Sequence, residues 1–133
     1  MNRRDFVKTI AMAGTATAMM PKSLFSSPVV YKQIKLGFIG TGMRGQWMLW
    51  LAAKYPEVQI PAICDIDDGM IESSLKILKD AGKPDPRIYK NGDEDFQNMV
   101  ANENLDGVYI ATPWEWHHPM AIAAMKHGIH VGT

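Results

Sequence analysis

Apolar runs and amphipathic segments alternate along the chain from residue 34 onward. Ile34 to Ile39 and Val58 to Cys64 are short apolar runs without a helical period, which is typical of buried strands. Segments with apolar positions three or four residues apart follow these runs and predict amphipathic helices. The predicted elements in chain order are a strand at 34–39, a helix at 46–54, a strand at 58–64, a helix to about 80, a short strand at 87–89, a helix at 93–102, a strand at 105–111, a helix at 118–126 and a strand that begins at 129–131. Such alternation predicts an α/β fold, a doubly wound parallel sheet of about five strands with helices on both faces.

Prolines bear on the ends and continuity of these elements. Pro61 counts against the second strand because proline lacks the N–H that a strand ladder needs, although aliphatic residues bracket it. Pro113 is expected to end the fourth strand, and His118–Pro119 is expected to open the last helix.

The first thirty residues have the order of a targeting signal. Arg3, Arg4, Phe6 and Lys8 are spaced as R-R-x-F-x-K, which is typical of a twin-arginine export signal. The weakly apolar run at 9–20 has 12 residues, fewer than the ~20 that span a bilayer. We therefore expect residues 1–30 to be a signal peptide and linker without a stable membrane span, and 31–133 to be the folded domain. The protein would then pass through the twin-arginine machinery to the periplasm or beyond; an amphipathic N-terminal helix is the alternative.

Composition excludes several classes of function. Lys and Arg number 14 and Asp and Glu number 14, so no net field favours binding of nucleic acid. The one cysteine, Cys64, has no partner in the chain for a disulfide. With 47% hydrophobic residues the chain has the composition of an ordinary globular domain.

A glycine motif follows the first strand directly and opens a helix. Gly40, Gly42 and Gly45 form G-x-G-x-x-G, and Asp65 ends the second strand. In this context Gly40 allows a tight turn, Gly42 lets the backbone approach a pyrophosphate, and Gly45 allows close packing of the helix. Asp65 would accept hydrogen bonds from the adenosine ribose, and its charge would repel a 2′-phosphate. The motif predicts a dinucleotide site that prefers NAD, while Arg44 keeps NADP open.

The densest cluster of aromatic and polar residues follows the fourth strand. Trp114 and Trp116 could form a wall against a cofactor ring. Glu115 lies between them in the sequence, and His117 follows Trp116. Each also has a structural interpretation, since tryptophan is commonly a core residue and histidine can cap a helix. A metal site is not expected, because neighbouring His117 and His118 cannot easily face one ion.

Together these motifs resemble the NAD-binding Rossmann domain of the glucose-fructose oxidoreductase and inositol dehydrogenase (Gfo/Idh/MocA) superfamily. The run P-W-E-W-H-H is more narrowly similar to glycoside hydrolase family 109, the NAD-dependent α-N-acetylgalactosaminidases. The resemblance rests on L-G-F-I-G-T-G-M-R-G (36–45), A-I-C-D (62–65) and A-T-P-W-E-W-H (111–117). It implies that NAD contacts Met43, Arg44, Asp65, Trp114, Glu115, Trp116 and His117.

The same resemblance implies a reaction. In family 109, NAD transiently oxidises the sugar at C3, the aglycone is eliminated, water adds, and the hydride returns. Superfamily members continue beyond the point that matches Thr133 into a substrate domain, so we expect an N-terminal fragment, inactive alone, whose catalytic residues lie past Thr133. The substrate would be a small sugar or glycoside. An NAD(P)-dependent sugar or polyol oxidoreductase and a non-catalytic nucleotide-binding protein are the alternatives, and a homo-oligomer of the full-length form is left open.

Overall fold

Five strands and four helices alternate in residues 32–133, the part of the chain that the structure, a computed structural model, describes. The predicted signal peptide at 1–30 and the domain boundary that follows it lie outside these residues. The elements are β1 (Ile34–Ile39), α1 (Met43–Ala53), β2 (Val58–Cys64), α2 (Asp68–Asp80), β3 (Arg87–Tyr89), α3 (Asp95–Asn102), β4 (Gly107–Ile110), α4 (Trp114–Lys126) and β5 (His130–Gly132). No helix among them is long and apolar enough to cross a membrane.

The strands form one parallel sheet in the order β3-β2-β1-β4-β5. The strand order reverses beside β1, because β2 lies on one side of it and β4 on the other. The connections that leave β1 and β4 therefore run to opposite faces of the sheet, and a crevice opens between them. This arrangement confirms the doubly wound parallel sheet that the sequence predicts.

Neighbouring residues of each strand point to opposite faces of the sheet. Phe38 packs with α1 and α2, whereas the next residue, Ile39, packs with α3 and α4. Leu49 of α1 and Met99 of α3 are each 0% exposed and occupy the cores of the two faces. Both faces of the sheet are therefore covered by helices, as a parallel sheet requires.

Pro61 is accommodated by an irregularity in the sheet. Lys35 of β1 pairs with Gln59, but Gly37 pairs with Ala62, so β2 carries one residue more than β1 in this interval. A bulge is one of the few places where a sheet tolerates proline. The second strand consequently continues through Pro61, which removes the objection raised from the sequence.

The predicted start of the last helix is wrong by four residues. Helix α4 begins at Trp114 and contains Pro119, where the sequence had suggested that His118–Pro119 opens it. Pro113 precedes the helix with φ −55°, a value that leads into a helical turn. Because Pro119 lacks an N–H, the helix loses only its bond to the carbonyl of Glu115. The run Trp114 to His117 is thus the first turn of α4 and not a loop.

The ends of several other helices and strands differ from the predicted ends by one to three residues. Helix α1 begins at Met43, three residues before the predicted start, because the glycine turn itself winds into the helix. Helix α3 begins at Asp95, β4 is shorter at both ends, and β5 begins at His130. Such ends depend on local hydrogen bonding that hydrophobic periodicity does not report.

Replacement of Leu49 by alanine is expected to lower the free energy of unfolding by about 2–5 kcal/mol, since it leaves a cavity between α1 and the sheet. Met125→Ala serves as the control, because Met125 is 54% exposed and its truncation opens no cavity. Denaturant titration of both variants in the full-length protein measures the difference. Equal midpoints for the two variants would contradict the packing described here.

Candidate functional site

A cavity of about 270 Å³ opens at the carboxyl ends of β1, β2 and β4. It lies at the reversal of strand order, where the chain leaves neighbouring strands in opposite directions. Its lining comprises Ile39, Gly40, Gly42, Cys64, Asp65, Ile66, Met70, Gly92, Asp93, Ala111, Thr112, Pro113, Trp116 and Met120.

The three motif glycines have three different surroundings. Gly40 has φ 84°, and a Cβ there would lie 2.7 Å from Thr112 Cγ2. A Cβ on Gly45 would lie 2.1 Å from the carbonyl oxygen of Gly40, which no side chain permits. A Cβ on Gly42 would meet no atom within 4 Å. The fold itself therefore requires Gly40 and Gly45, whereas the absence of a side chain at Gly42 keeps space open beside the cavity.

The N-terminus of α1 lies at this site and carries no capping or acidic group of its own. Its N-cap, Gly42, provides no side-chain hydrogen bond, and the first turn holds no acidic residue. The first N–H groups of a helix lack internal partners and carry the positive end of its dipole. An anionic group such as a phosphate can satisfy both.

The carboxylate of Asp65 is held on both oxygens. Oδ2 accepts from the backbone N–H of Thr41 at 2.5 Å and from its hydroxyl at 2.8 Å. Oδ1 accepts from the N–H of Asp67 at 2.9 Å. Thr41 is 0% exposed, and Asp65 is half-buried at the cavity wall. The glycine turn and the end of β2 are therefore joined through this one side chain.

The charged groups in the cavity lining are carboxylates. Among the residues that the structure describes, Asp65 and Asp93 belong to the lining and no lysine or arginine does. Arg44 is exposed on the first turn of α1 and lies outside the lining. Hydroxyl groups could donate to these two carboxylates, whereas a phosphate beside them would be repelled.

A buried acid supports the loop that carries Asp93. Asp95 is 4% exposed; its carboxylate accepts from the N–H of Asn91 at 2.9 Å and from the amide of Asn98 at 2.7 Å. The hydrogen bonds from Asn98 and Asn91 hold the pKa of Asp95 below its ordinary value. Asp95 thus remains charged and keeps residues 91–93 at the mouth of the cavity.

Trp116 and Trp114 occupy different environments on the first turn of α4. Trp116 lines the cavity and packs edge-on against Phe96, with ring centroids 6.4 Å apart. Trp114 is 90% exposed and stacks on His117, with centroids 5.8 Å apart and planes 15° from parallel. His117 Nε2 lies 2.8 Å from the carbonyl oxygen of Thr112 and must donate to it, because a carbonyl only accepts. In the neutral ring, Nδ1 is then left as an acceptor.

The structure brings only part of the predicted set into the cavity. Of the ten predicted positions, the lining includes Gly40, Gly42, Asp65 and Trp116. Gly45 is buried beneath the turn. The positions outside the lining are Met43, Arg44, Trp114, Glu115 and His117, of which His117 is half-buried and the others are exposed.

Several residues of the site escaped the sequence analysis. Thr41 lies between two motif glycines, and the motif assigns no role to this position. Met70 comes from α2 and Asp93 from the loop after β3, so they reach the cavity only through the packing of the sheet. The one signal available in the sequence was the position of Thr41, whose hydroxyl comes directly after the first motif glycine.

Cys64 closes the inner wall of the cavity with a thiol that is 5% exposed. Burial, with smaller contributions from the charges of Asp95 and Asp65, raises the pKa of Cys64 from 9.0 to about 12. A thiol in this state is a packing group and not a nucleophile. Within residues 32–133 no group of three His, Cys, Asp or Glu side chains could hold a metal ion.

Both the sequence and the structure of this domain are similar to those of known proteins. Residues 34–132 match the family GFO_IDH_MocA, described as "Oxidoreductase family, NAD-binding Rossmann fold". The structure is similar to scyllo-inositol dehydrogenase from Lactobacillus casei with bound NAD(H) and scyllo-inositol, with a TM-score of 0.62 and 26% identity. That similarity covers 75% of this chain and 27% of the dehydrogenase.

Curated relatives carry names from glycoside hydrolysis. A glycosyl hydrolase family 109 protein of Saccharopolyspora erythraea is 42% identical over 103 residues, which cover 77% of this chain and 22% of the relative. The α-N-acetylgalactosaminidase of Tannerella forsythia is 35% identical over 144 aligned positions, 96% of this chain and 31% of that enzyme. The chain therefore spans between a fifth and a third of the length of these relatives.

Cys64 is expected to resist thiol reagents in the native protein. At pH 8 a thiol with a pKa of about 12 is ionised in about one molecule in 10⁴, against about one in ten for the ordinary value of 9.0. Labelling with an aromatic disulfide, located by peptide mass mapping, measures this difference. The denatured protein is the control and should label rapidly; equally rapid labelling of the native protein would contradict the burial of Cys64.

Proposed function

The chain belongs to the Gfo/Idh/MocA oxidoreductase family through its NAD-binding Rossmann domain, and from that membership we propose that the full-length protein is an NAD-dependent glycosidase acting on α-linked N-acetylgalactosaminides. The observation that carries the cofactor assignment is the cavity between Gly42 and Asp65. The relatives named for family 109 and for α-N-acetylgalactosaminidase activity support the substrate class.

The residues at the cavity fit a dinucleotide. Gly42 leaves room for paired phosphates against bare backbone, and the uncapped first turn of α1 would donate N–H groups to them. Asp65 would accept from a hydroxyl of the adenosine ribose. Because the lining that residues 32–133 provide contains Asp65 and Asp93 and no lysine or arginine, a 2′-phosphate would be repelled, which favours NAD over NADP.

The first turn of α4 would serve the other part of the cofactor. Trp116, held edge-on by Phe96, would provide a rigid wall for an aromatic ring. His117 would accept from a hydroxyl through Nδ1, since its other nitrogen is committed to the carbonyl of Thr112. Met43, Arg44, Trp114 and Glu115 would contact the cofactor from the exposed rim, as the family resemblance implies.

Bound NAD supplies a reversible hydride acceptor, so it would act as a catalyst that stays in place during hydrolysis. The residues described here would bind and orient it and keep water from its inner face, where Cys64 and Met120 lie. Because the chain spans between a fifth and a third of the length of these relatives, the proposal assigns no general acid, general base or sugar contact to the described residues. The proposal includes export through the twin-arginine route, supported by R-R-x-F-x-K at the N-terminus. A cofactor that is not consumed would suit an exported enzyme.

A net sugar or polyol oxidoreductase is the second candidate. It is favoured by the structural likeness to inositol dehydrogenases, among them myo-inositol 2-dehydrogenase from Lactobacillus plantarum, with a TM-score of 0.61 and 28% identity. The same cofactor domain serves both reactions, because the substrate is selected elsewhere in the protein.

Gly42→Ala is expected to leave the fold intact and to raise the Kd for NAD by about tenfold or more, since the added methyl group would occupy the space proposed for the phosphates. Gly132→Ala is the matched control, because its Cβ would lie at an ordinary 3.4 Å from Tyr109 and outside the cavity. Calorimetric titration of the full-length protein measures both. Unchanged affinity in Gly42→Ala would contradict the proposed phosphate position, and no uptake of NAD by the wild type would refute the proposed function.

The two candidate reactions differ in their redox balance. A glycosidase should release the aglycone from an aryl α-N-acetylgalactosaminide with no accumulation of NADH. An oxidoreductase should instead accumulate NADH steadily with a free sugar or polyol and leave the glycoside intact. Parallel absorbance assays of aglycone and NADH distinguish them, and binding of NAD without either activity would indicate a non-catalytic protein.

A further inference from the structure

We infer that Thr41 is the positioning residue that presents Asp65 to the adenosine ribose. This inference rests on the proposed function, because it requires that Asp65 accept from the cofactor. The carboxylate alone does not determine how it is presented, since an aspartate side chain can rotate about two bonds. The hydrogen bonds of Thr41 restrict that rotation from the glycine turn, whereas Asp65 itself follows the end of β2.

The three hydrogen bonds to the carboxylate of Asp65 differ in which part of the chain they connect it to. The N–H of Asp67 lies two residues along the chain, so its bond to Oδ1 is a local turn of the kind that aspartate commonly forms with its own backbone. Thr41 lies 24 residues away, in the glycine turn. Only its two bonds therefore fix the carboxylate relative to the turn that would hold the phosphates.

The acceptor sites of the carboxylate are mostly occupied. Each carboxylate oxygen offers about two lone-pair directions. Both directions of Oδ2 are directed to Thr41, and one of Oδ1 is directed to Asp67. The remaining direction on Oδ1 is then the one available for a ribose hydroxyl. If the hydroxyl of Thr41 is removed, one of the two bonds that fix the carboxylate relative to the glycine turn is lost, so the direction that remains on Oδ1 is held less firmly.

Thr41 is itself held in place. Its side chain is 0% exposed, and its carbonyl oxygen accepts from the side-chain amide of Gln46 at 2.9 Å. Gln46 lies on α1 and also contacts the sulfur of Met70 on α2 at 3.3 Å. The hydroxyl therefore belongs to a network made of the protein's own groups. Such preorganisation increases affinity because less freedom is lost on binding.

The test compares variants that remove or retain this hydroxyl. Thr41→Val keeps the shape of the side chain and the backbone donor but loses the hydroxyl, and we expect the Kd for NAD to rise about tenfold. Thr41→Ser retains the hydroxyl and should bind NAD within about twofold of the wild type. Calorimetric titration of the full-length protein measures both values. Thr41→Ala is a second variant without the hydroxyl and should behave like Thr41→Val.

A double-mutant cycle separates positioning from general stability. In an Asp65→Asn background, Thr41→Val should change the Kd by less than about twofold, because the acceptor that it positions is already altered. Ser74→Ala is the matched control: Ser74 is 0% exposed and donates to the carbonyl of Met70, away from Asp65, so its loss should not change the Kd.

Two results would overturn the inference while leaving the proposed function standing. One is wild-type affinity for NAD in both Thr41→Val and Thr41→Ala. The other is a double variant in which the fold changes in the Kd for NAD caused by Thr41→Val and by Asp65→Asn multiply. That result would show that the two residues act independently. Failure of the wild type to bind NAD would refute the proposed function itself.

Discussion

The contact between Gly45 and the carbonyl of Gly40 is the constraint on which the candidate site depends. A Cβ on Gly45 would lie 2.1 Å from that oxygen, so the turn can close only without a side chain there. Closure of the turn starts α1 at Met43 and places its N-cap, Gly42, in the cavity lining, next to N–H groups that lack partners within the helix. Tight local packing is therefore what turns the end of β1 into a site for an anion.

Asp65 and Thr41 extend this constraint to the second strand. Their hydrogen bonds connect the glycine turn to the end of β2, so the positions proposed for the phosphates and the ribose are set relative to each other. The carboxylates in the lining make this end of the cavity unsuitable for a further phosphate. Under the proposed function, the domain would select the cofactor, and the choice of substrate would be made by other parts of the full-length protein. This separation explains how relatives named as glycosidases and as dehydrogenases can share one cofactor domain.

Much of the fold could be predicted because strands and helices leave local signatures. The bounds of β1, β2 and β3 agree with the strands predicted at 34–39, 58–64 and 87–89, and α2 begins after Asp67, whose side chain accepts from the N–H of Met70. The start of α4 could not be predicted in the same way. Proline at position 119 suggested a first turn, yet one lost backbone bond is tolerated where the helix packs through Met120 and Ala124. Tertiary packing there outweighs a local preference.

The amino-acid sequence by itself determined the α/β class, the glycine turn and the acid at the end of β2, because each depends on residues close together in the chain. It also indicated the family and its cofactor through short motifs. Only the tertiary structure decided which side chains share the cavity. Met70, Asp93 and Trp116 come from three separate connections, and Thr41 meets Asp65 across 24 residues. Contacts of this kind arise where strand order reverses, and periodicity along the chain carries no record of them.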